Sequence, residues 1–416
     1  MSTICKAFLT AAVAALVVPP AVADDKFEFH GYLRAGTGGN SEGGDQVCFQ
    51  LPGAGSKYRF GNECEVYGEL IVGYRAFKGD DGAYFNLKTN LAFRVEGERD
   101  WEPDGSTTVF REVYVEAGNV SGGTLEGSRF WVGKRFYRRH DVHITDFFFW
   151  DGSGTGGGVE DIEVGFAKLA YAYLRNSDDE LDAAGHKIAD VNDRAVSRHD
   201  LRLYGIDVNP DGQLTVGGDF RFSDESREGF EGQNGYMLSV MHTQSGLWGG
   251  SNTIALQYGH GSAHTLSAAS DDTNKDGRTW RVVEQLQVEP GTGWSGMGTV
   301  VYEDRRDTGD DGAWFSIGGR YKYYLSNYLN LVLEAGFDQF APDAAGEDTR
   351  TLWKVTPAIQ LSAGDKFWTR PALRLFTTYA KWNEAARDAG LADSTEGVFG
   401  NDTQGWTFGL QAETGW

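Results

Sequence analysis

The chain has 416 residues and a formal net charge of −22 at pH 7. Such an acidic protein is poorly suited to binding nucleic acid, which is itself a polyanion. Beyond the N-terminal region no run of eighteen apolar residues occurs, which excludes a helical membrane span. The abundance of glycine (57) and of Phe, Tyr and Trp (25, 18 and 12) is typical of many strands and turns.

The first residues are typical of a secretory signal. Lys6 supplies a positive end, an apolar stretch runs from Ala7 to Val18, and Ala21-Val22-Ala23 is a small-residue cleavage site. We therefore expect a signal peptide over residues 1–23 and an exported domain over residues 24–416.

The exported part contains two cysteines, Cys48 and Cys64. An even pair within one loop of an exported protein favours a disulfide. A zinc site is the alternative, but it needs about four ligands and no nearby His or Cys completes the set. We predict a disulfide and no metal site.

Period-two patterns predict eighteen strands and no amphipathic helix. In the segment from Tyr84 to Val95, for example, apolar side chains alternate with polar ones. The predicted strands begin near Phe27, Tyr67, Ala83, Arg111, Ser128, Glu160, Lys168, Arg198, Gly212, Gly235, Asn252, Thr279, Trp294, Ala313, Leu329, Thr351, Arg370 and Gly405.

The links between these strands alternate in length. Even-numbered links are short, such as Asn209-Pro210-Asp211, whereas odd-numbered links such as 35–66, 137–159 and 383–404 are mostly long. A barrel with tight turns on one rim and long loops on the other has this alternation, and a soluble sandwich has no reason for it. We therefore predict an all-β fold, an antiparallel transmembrane barrel of eighteen strands in an outer membrane. A lumen that wide is not filled by wall side chains, so a water-filled channel is expected.

Several long motifs resemble the maltoporin family. They include Phe29-His30-Gly31-Tyr32-Leu33-Arg34, the segments 48–50 and 56–65, Gly133-Lys134-Arg135-Phe136-Tyr137 and the segment 139–143. Further matches lie at residues 370–372, 379–382 and 406–409. The resemblance runs from about Phe27 to Trp416 and differs mainly in the middle loops.

The resemblance implies an outer-membrane homotrimer for maltodextrin uptake, with an aromatic slide facing a polar track. The slide positions are occupied by Tyr32, Tyr67, Trp101 and Trp368, and the family's equivalent of Trp101 comes from a neighbouring subunit. The polar-track positions are occupied by Arg34, Arg59, Glu69, Arg111, Arg139 and Asp146. Sugar rings present an apolar C–H face that stacks on aromatic rings, and charged groups bond strongly to their hydroxyls. A lone Tyr or Trp in a barrel is more often an interfacial residue, so these assignments depend on the family match.

The link from Tyr137 to Val159 is the predicted constriction loop. It contains Phe147-Phe148-Phe149-Trp150, and four consecutive aromatics on an exposed loop are unusual, so we expect this loop to fold into the barrel. Phe148, Arg139 and Asp146 are its predicted constriction residues, and Gly152 to Gly158 its glycine-rich tip.

Three positions depart from the family pattern. Phe148 replaces the central constriction tyrosine, a slide aromatic is missing near Gly250, and Gly415 replaces the penultimate aromatic. Trp248 is the candidate substitute for the ring that is missing near Gly250.

Two other motifs each have a functional and a structural interpretation. The loop carrying His140, Asp141, His143 and Asp146 lacks a following Ser or Cys nucleophile, so an electrostatic lining is favoured over an outer-membrane hydrolase. The segment Asp272 to Gly277 resembles the start of a calcium loop, but Val283 stands at the twelfth position, where a bidentate Glu is needed. An acidic hairpin loop is favoured there.

The sequence thus predicts a non-enzymatic porin for passive diffusion of maltose and maltodextrins, which also passes ions and needs no cofactor. Its expected partners are the oligosaccharide, outer-membrane lipid and two further copies of the chain. A channel for sucrose or another oligosaccharide, and a surface receptor barrel whose pore is incidental, are the alternatives left open.

Overall fold

The computed structural model describes residues 26–95, 106–178, 194–223, 232–270, 273–391 and 398–416. Its strands are β1 (Phe27–Asn40), β2 (Val66–Lys78), β3 (Tyr84–Val95), β4 (Ser106–Gly118), β5 (Arg129–Arg135), β6 (His140–Val142), β7 (Phe147–Trp150), β8 (Gly154–Glu163), β9 (Lys168–Asp178), β10 (Arg194–Asn209), β11 (Gly212–Ser223), β12 (Gly235–Leu247), β13 (Gly250–Gly261), β14 (Arg278–Val288), β15 (Trp294–Arg306), β16 (Gly312–Tyr324), β17 (Leu329–Pro342), β18 (Arg350–Ser362), β19 (Ala372–Trp382) and β20 (Gln404–Gly415). The helical elements are α1 (Glu384–Asp388) and two 3₁₀ turns, Gly123–Leu125 and His143–Thr145.

Eighteen of these strands form one closed antiparallel barrel. Each pairs with its neighbours along the chain, β5 pairs with β8, and β1 pairs with β20 to close the wall. The short strands β6 and β7 form a separate hairpin inside the β5–β8 link. The predicted fold is confirmed, and all predicted strand starts lie within two residues of the observed ones except those near Arg111, Glu160 and Arg198.

The wall of the barrel is apolar outside and polar inside. In β18, Trp353, Ile359 and Leu361 are more than half exposed, whereas the alternating Lys354 and Thr356 are almost fully buried. A water-soluble protein has the opposite arrangement. In hydrocarbon, by contrast, the closed barrel satisfies every strand N–H and C=O internally and its apolar side chains face lipid.

The two rims of the barrel differ in the length of their links. On the short-turn rim β10 and β11 are joined by residues 210–211 and β12 and β13 by residues 248–249, and both chain ends lie on this side. The long-loop rim carries most of the longer links. The alternation has exceptions, because the 119–128 and 363–371 turns are long for their rim and the 307–311 link is short.

The first inner loop, residues 41–65, folds into the lumen against β16–β19. Phe49, Tyr58 and Phe60 are at most 2% exposed. The Tyr58 hydroxyl lies 3.1 Å from Ser316 Oγ, and the Phe60 amide donates to Glu334 Oε1 at 2.8 Å. The predicted disulfide between Cys48 and Cys64 is present and closes the base of this loop.

The second inner loop, residues 136–153, also folds into the lumen, as the four consecutive aromatics predict. Phe149 and Trp150 are 1% exposed, and Phe147 packs edge-on against Trp314 of β16 at 5.4 Å. Arg202 of β10 donates to the Arg138 carbonyl at 2.7 Å, which ties the loop to the barrel wall.

The predicted glycine-rich tip of this loop is wrong for residues 154–158, which belong to β8. Glycine is required there by close packing in the wall. A Cβ on Gly158 would lie 2.6 Å from the Tyr171 carbonyl and 2.8 Å from the Trp131 indole nitrogen.

The single α-helix in the described part of the chain is α1, whose first turn is capped by Asn383 through its side-chain oxygen, which accepts from the Ala386 amide at 3.1 Å. Within the described ranges, no helix combines the length and apolar character needed to cross a bilayer.

Candidate functional site

The two tyrosines at predicted slide positions lie side by side on the inner wall. Tyr32 of β1 and Tyr67 of β2 have ring centroids 6.1 Å apart, and both side chains are partly exposed. Antiparallel pairing brings them together, because Tyr32 is opposite Glu69 and Tyr67 is opposite Arg34 in the β1–β2 register. The two rings form the start of an aromatic row directed towards the short-turn rim.

Trp368 extends this row at the short-turn rim. It lies in the 363–371 turn and remains 43% exposed. Its ring packs on His143 of the second inner loop with centroids 4.6 Å apart. Arg370 connects the two parts of the row, since it lies 5.4 Å from the Tyr32 ring centroid and 3.2 Å from His143 Nε2.

A network of ion pairs borders the aromatic row. Arg34 pairs with Glu63 at 2.7 Å and with Glu65, and Arg59 pairs with Glu63 at 2.6 Å. Arg59 also donates to the Tyr32 hydroxyl at 2.8 Å. Because Glu63 and Glu65 belong to the first inner loop, the disulfide-closed loop fixes the acidic partners of two track arginines.

The tyrosine hydroxyls are part of the same polar edge. The Tyr67 hydroxyl donates to Glu69 and accepts from Arg111 Nη1 at 3.0 Å. Asn90 of β3 donates to the other oxygen of Glu69 at 2.9 Å. Each ring therefore presents an apolar face beside an edge of charged donors and acceptors.

Arg111 of β4 and three residues of the second inner loop form an alternating stack of guanidinium groups and rings. Arg111 lies 4.7 Å from the Phe136 ring centroid, and Arg139 lies 3.8 Å from Phe136 and 3.9 Å from Phe148. These distances are within the range of cation–π contact. The two rings hold Arg139 from both faces and leave the donors at the edge of its guanidinium group for other partners.

Asp146 completes the predicted polar track. It has a left-handed backbone conformation with φ 53° after the 3₁₀ turn. Its side chain is 54% exposed and lies 3.8 Å from Arg59. This carboxylate is therefore available to solutes in the lumen.

The imidazoles of the second inner loop are uncharged at neutral pH. Burial, followed by the nearby charge of Arg59, holds the pKa of His143 well below its usual value. Burial, followed by the charge of Arg202, lowers the pKa of His140 to about 3. Neither histidine adds positive charge to the lumen.

Two slide candidates do not join this row in the described structure. Trp101 lies outside the described residues. Trp248 lies in the β12–β13 turn with 66% of its surface exposed, and no described ring contact connects it to Tyr32, Tyr67 or Trp368. A residue larger than glycine at position 250 would place its Cβ 2.1 Å from the Gln287 carbonyl, so that position cannot hold an aromatic ring.

The calcium-loop candidate lies partly outside the described residues, because Asp272 is not among them. In the described part, the side chain of Asn274 caps the turn that follows it. Asn274 Oδ1 accepts from the amides of Asp276 at 3.0 Å and Gly277 at 2.7 Å.

The contacts of Phe136 and the inward packing of the first inner loop were not predicted from the sequence. The signal for the loop was available, since Phe49, Tyr58 and Phe60 are large apolar residues in a link that would otherwise be exposed. Phe136 gave no such signal, because its contact with Arg111 depends on the register of the β4–β5 pair.

Comparison with known proteins fits this architecture. The sequence model of the LamB porin family matches residues 27–416. This chain belongs to the LamB porin family. The porin is therefore an outer-membrane β-barrel channel of bacteria, its short-turn rim is periplasmic and its long-loop rim is extracellular.

Solved structures show the same type of barrel. The porin is similar to OccAB1 of Acinetobacter baumannii, with a TM-score of 0.53, 10% identity and coverage of 94% of this chain and 96% of that one. It is also similar to OpdK of Pseudomonas aeruginosa, crystallised with vanillate, with a TM-score of 0.50, 10% identity and coverage of 94% and 99%. At this identity the similarity concerns the fold alone.

Proposed function

We propose that this porin carries maltose and maltodextrins across the outer membrane by facilitated passive diffusion. The observation that carries the proposal is the row of Tyr67, Tyr32 and Trp368 beside a charged polar edge. A chain of glucosyl units offers the same apolar face at each step, so it can move from one ring to the next.

The charged edge supplies the second requirement of sugar transport. A sugar leaving water loses hydrogen bonds at its hydroxyls, and charged groups replace them more strongly than neutral ones. Arg34, Arg59 and Glu69 border the rings, and Arg139 and Asp146 lie in the second inner loop. Several weak sites in series allow a sugar both to enter and to leave, as conduction requires.

The proposal extends to assembly and export. The functional unit is a homotrimer, in which Trp101 of one subunit would meet the lumen of the next, and residues 1–23 are removed as a signal peptide. Trp248 is retained as a candidate ring at the periplasmic mouth. Ions and small solutes pass through the same lumen, and the transport needs no cofactor.

The test is the conductance of the purified porin in a planar bilayer, titrated first with maltohexaose and then with sucrose. We expect saturable block by maltohexaose at concentrations well below any effect of sucrose. Stronger block by sucrose would assign the channel to another sugar. Open channels that ignore both sugars would contradict the slide and favour a receptor barrel with an incidental pore.

A further inference from the structure

A small cavity lies beside Trp368 at the periplasmic end of the lumen. Its wall contains Arg320 and Lys322 of β16, Arg374 of β19 and Arg370 of the preceding turn. The cavity volume is about 20 Å³, enough for roughly one water-sized group. Four cationic side chains therefore meet around a space that admits only a small ligand.

The carboxylates near this cavity are each shared between two cations. Glu413 accepts from Arg370 at 2.6 Å and from Arg374 at 2.5 Å. Glu334 lies 2.7 Å from Arg320 and 3.5 Å from Lys354. Neither carboxylate is free to balance a further positive charge.

Lys322 is the cation without a carboxylate partner among the described residues. Its side chain is buried, and Nζ donates only to the backbone carbonyls of Lys366 at 2.9 Å and Phe367 at 3.2 Å. Among the described residues, the cavity wall contains four cations and one carboxylate, Glu413.

An uncompensated charge in a buried site is costly, and an ion of opposite sign in the same cavity relieves that cost. An ammonium group has three donors, and Lys322 uses two of them on carbonyls. We propose that this cavity binds one small anion, either a halide or one oxygen of an oxyanion group such as phosphate or carboxylate, whose other atoms stay in the lumen.

The anion has two conceivable sources, a free inorganic ion and a charged substituent on a sugar that passes Trp368. The cavity volume excludes a sugar ring, so only an oxygen of the charged group would enter. The cavity shares Trp368 and Arg370 with the proposed maltodextrin row, but its positive charge does not depend on which neutral sugar the row selects.

The experiment is isothermal titration calorimetry of the purified detergent-solubilised porin with sodium phosphate, in a dilute zwitterionic buffer that contains no halide, phosphate or carboxylate. We expect saturable binding at one site per chain, weakened by about tenfold or more in Lys322→Met and retained in Lys322→Arg. The matched control is Lys381→Met, which removes the same charge from the exposed outer face of β19.

A second titration with glucose 6-phosphate identifies the source. Tighter binding than inorganic phosphate assigns the anion to the sugar, and weaker binding assigns it to the free ion. Non-saturable heats in the wild type, or equal binding by wild type and Lys322→Met, would overturn the site. Block of the same wild-type channels by maltohexaose reports separately on the sugar row.

Discussion

Replacement of Trp368 by alanine tests the contribution of a single ring. The indole is 43% exposed towards the lumen, so a bound glucosyl unit can cover its free face, while His143 supports it at 4.6 Å. Aromatic stacking contributes about 0.5 to 1.5 kcal/mol beyond the area it buries. Loss of one platform should therefore weaken maltohexaose block by about two- to twelvefold.

The assay is the sugar concentration that halves the conductance of a planar bilayer. The matched control is Trp280→Ala, which removes an indole of similar exposure, 40%, from the outer face of β14. We expect maltohexaose to block the control channel as strongly as it blocks the wild type. The Trp368→Ala channel should keep or increase its ion conductance. Unchanged block after Trp368→Ala, or an equal loss in the control, would refute the reasoning.

Three further changes have defined outcomes. Phe148→Tyr adds a hydroxyl beside Arg139 and should strengthen maltohexaose block by about two- to twelvefold, since a hydrogen bond contributes about 0.5 to 1.5 kcal/mol. Weaker block would show that the ring face alone matters. The double change Cys48→Ser and Cys64→Ser should lower the free energy of opening of the first inner loop by up to about 3 kcal/mol, because the bridge spans 16 residues. Hydrogen exchange of residues 49–63 measures this free energy, and unaltered protection would contradict the prediction. The pKa of His143 is lowered, so this residue stays neutral in the folded porin, whereas in the unfolded chain it becomes protonated below about pH 6.5. The free energy of unfolding should therefore fall as the pH drops below that value, and it should fall less in His143→Gln. Sugar block should stay constant from pH 8 to 5.5.

The barrel wall was predictable because its pattern is local. In the segment from Tyr84 to Val95, alternating apolar and polar residues determine both the strand and its two faces, and β3 has those same bounds. The tyrosines of the row were found through the family motif, and the β1–β2 register explains why Tyr32 and Tyr67 adjoin.

The interior of the lumen was less predictable because it depends on contacts between distant segments. Phe147 of the second inner loop, for example, packs against Trp314 of β16, a strand in a distant part of the chain. In the sequence, nothing distinguishes Lys322 from the other charged residues of the alternating strands. Its isolation from carboxylates follows from the 363–371 turn, whose carbonyls it binds.

The most direct test of the proposed function is a crystal structure of the porin with maltohexaose bound. The account predicts consecutive glucosyl units lying on Tyr67, Tyr32 and Trp368, with hydroxyls bonded to Arg34, Arg59 or Glu69. Sugar bound elsewhere in the lumen, with these three rings uncovered, would contradict it.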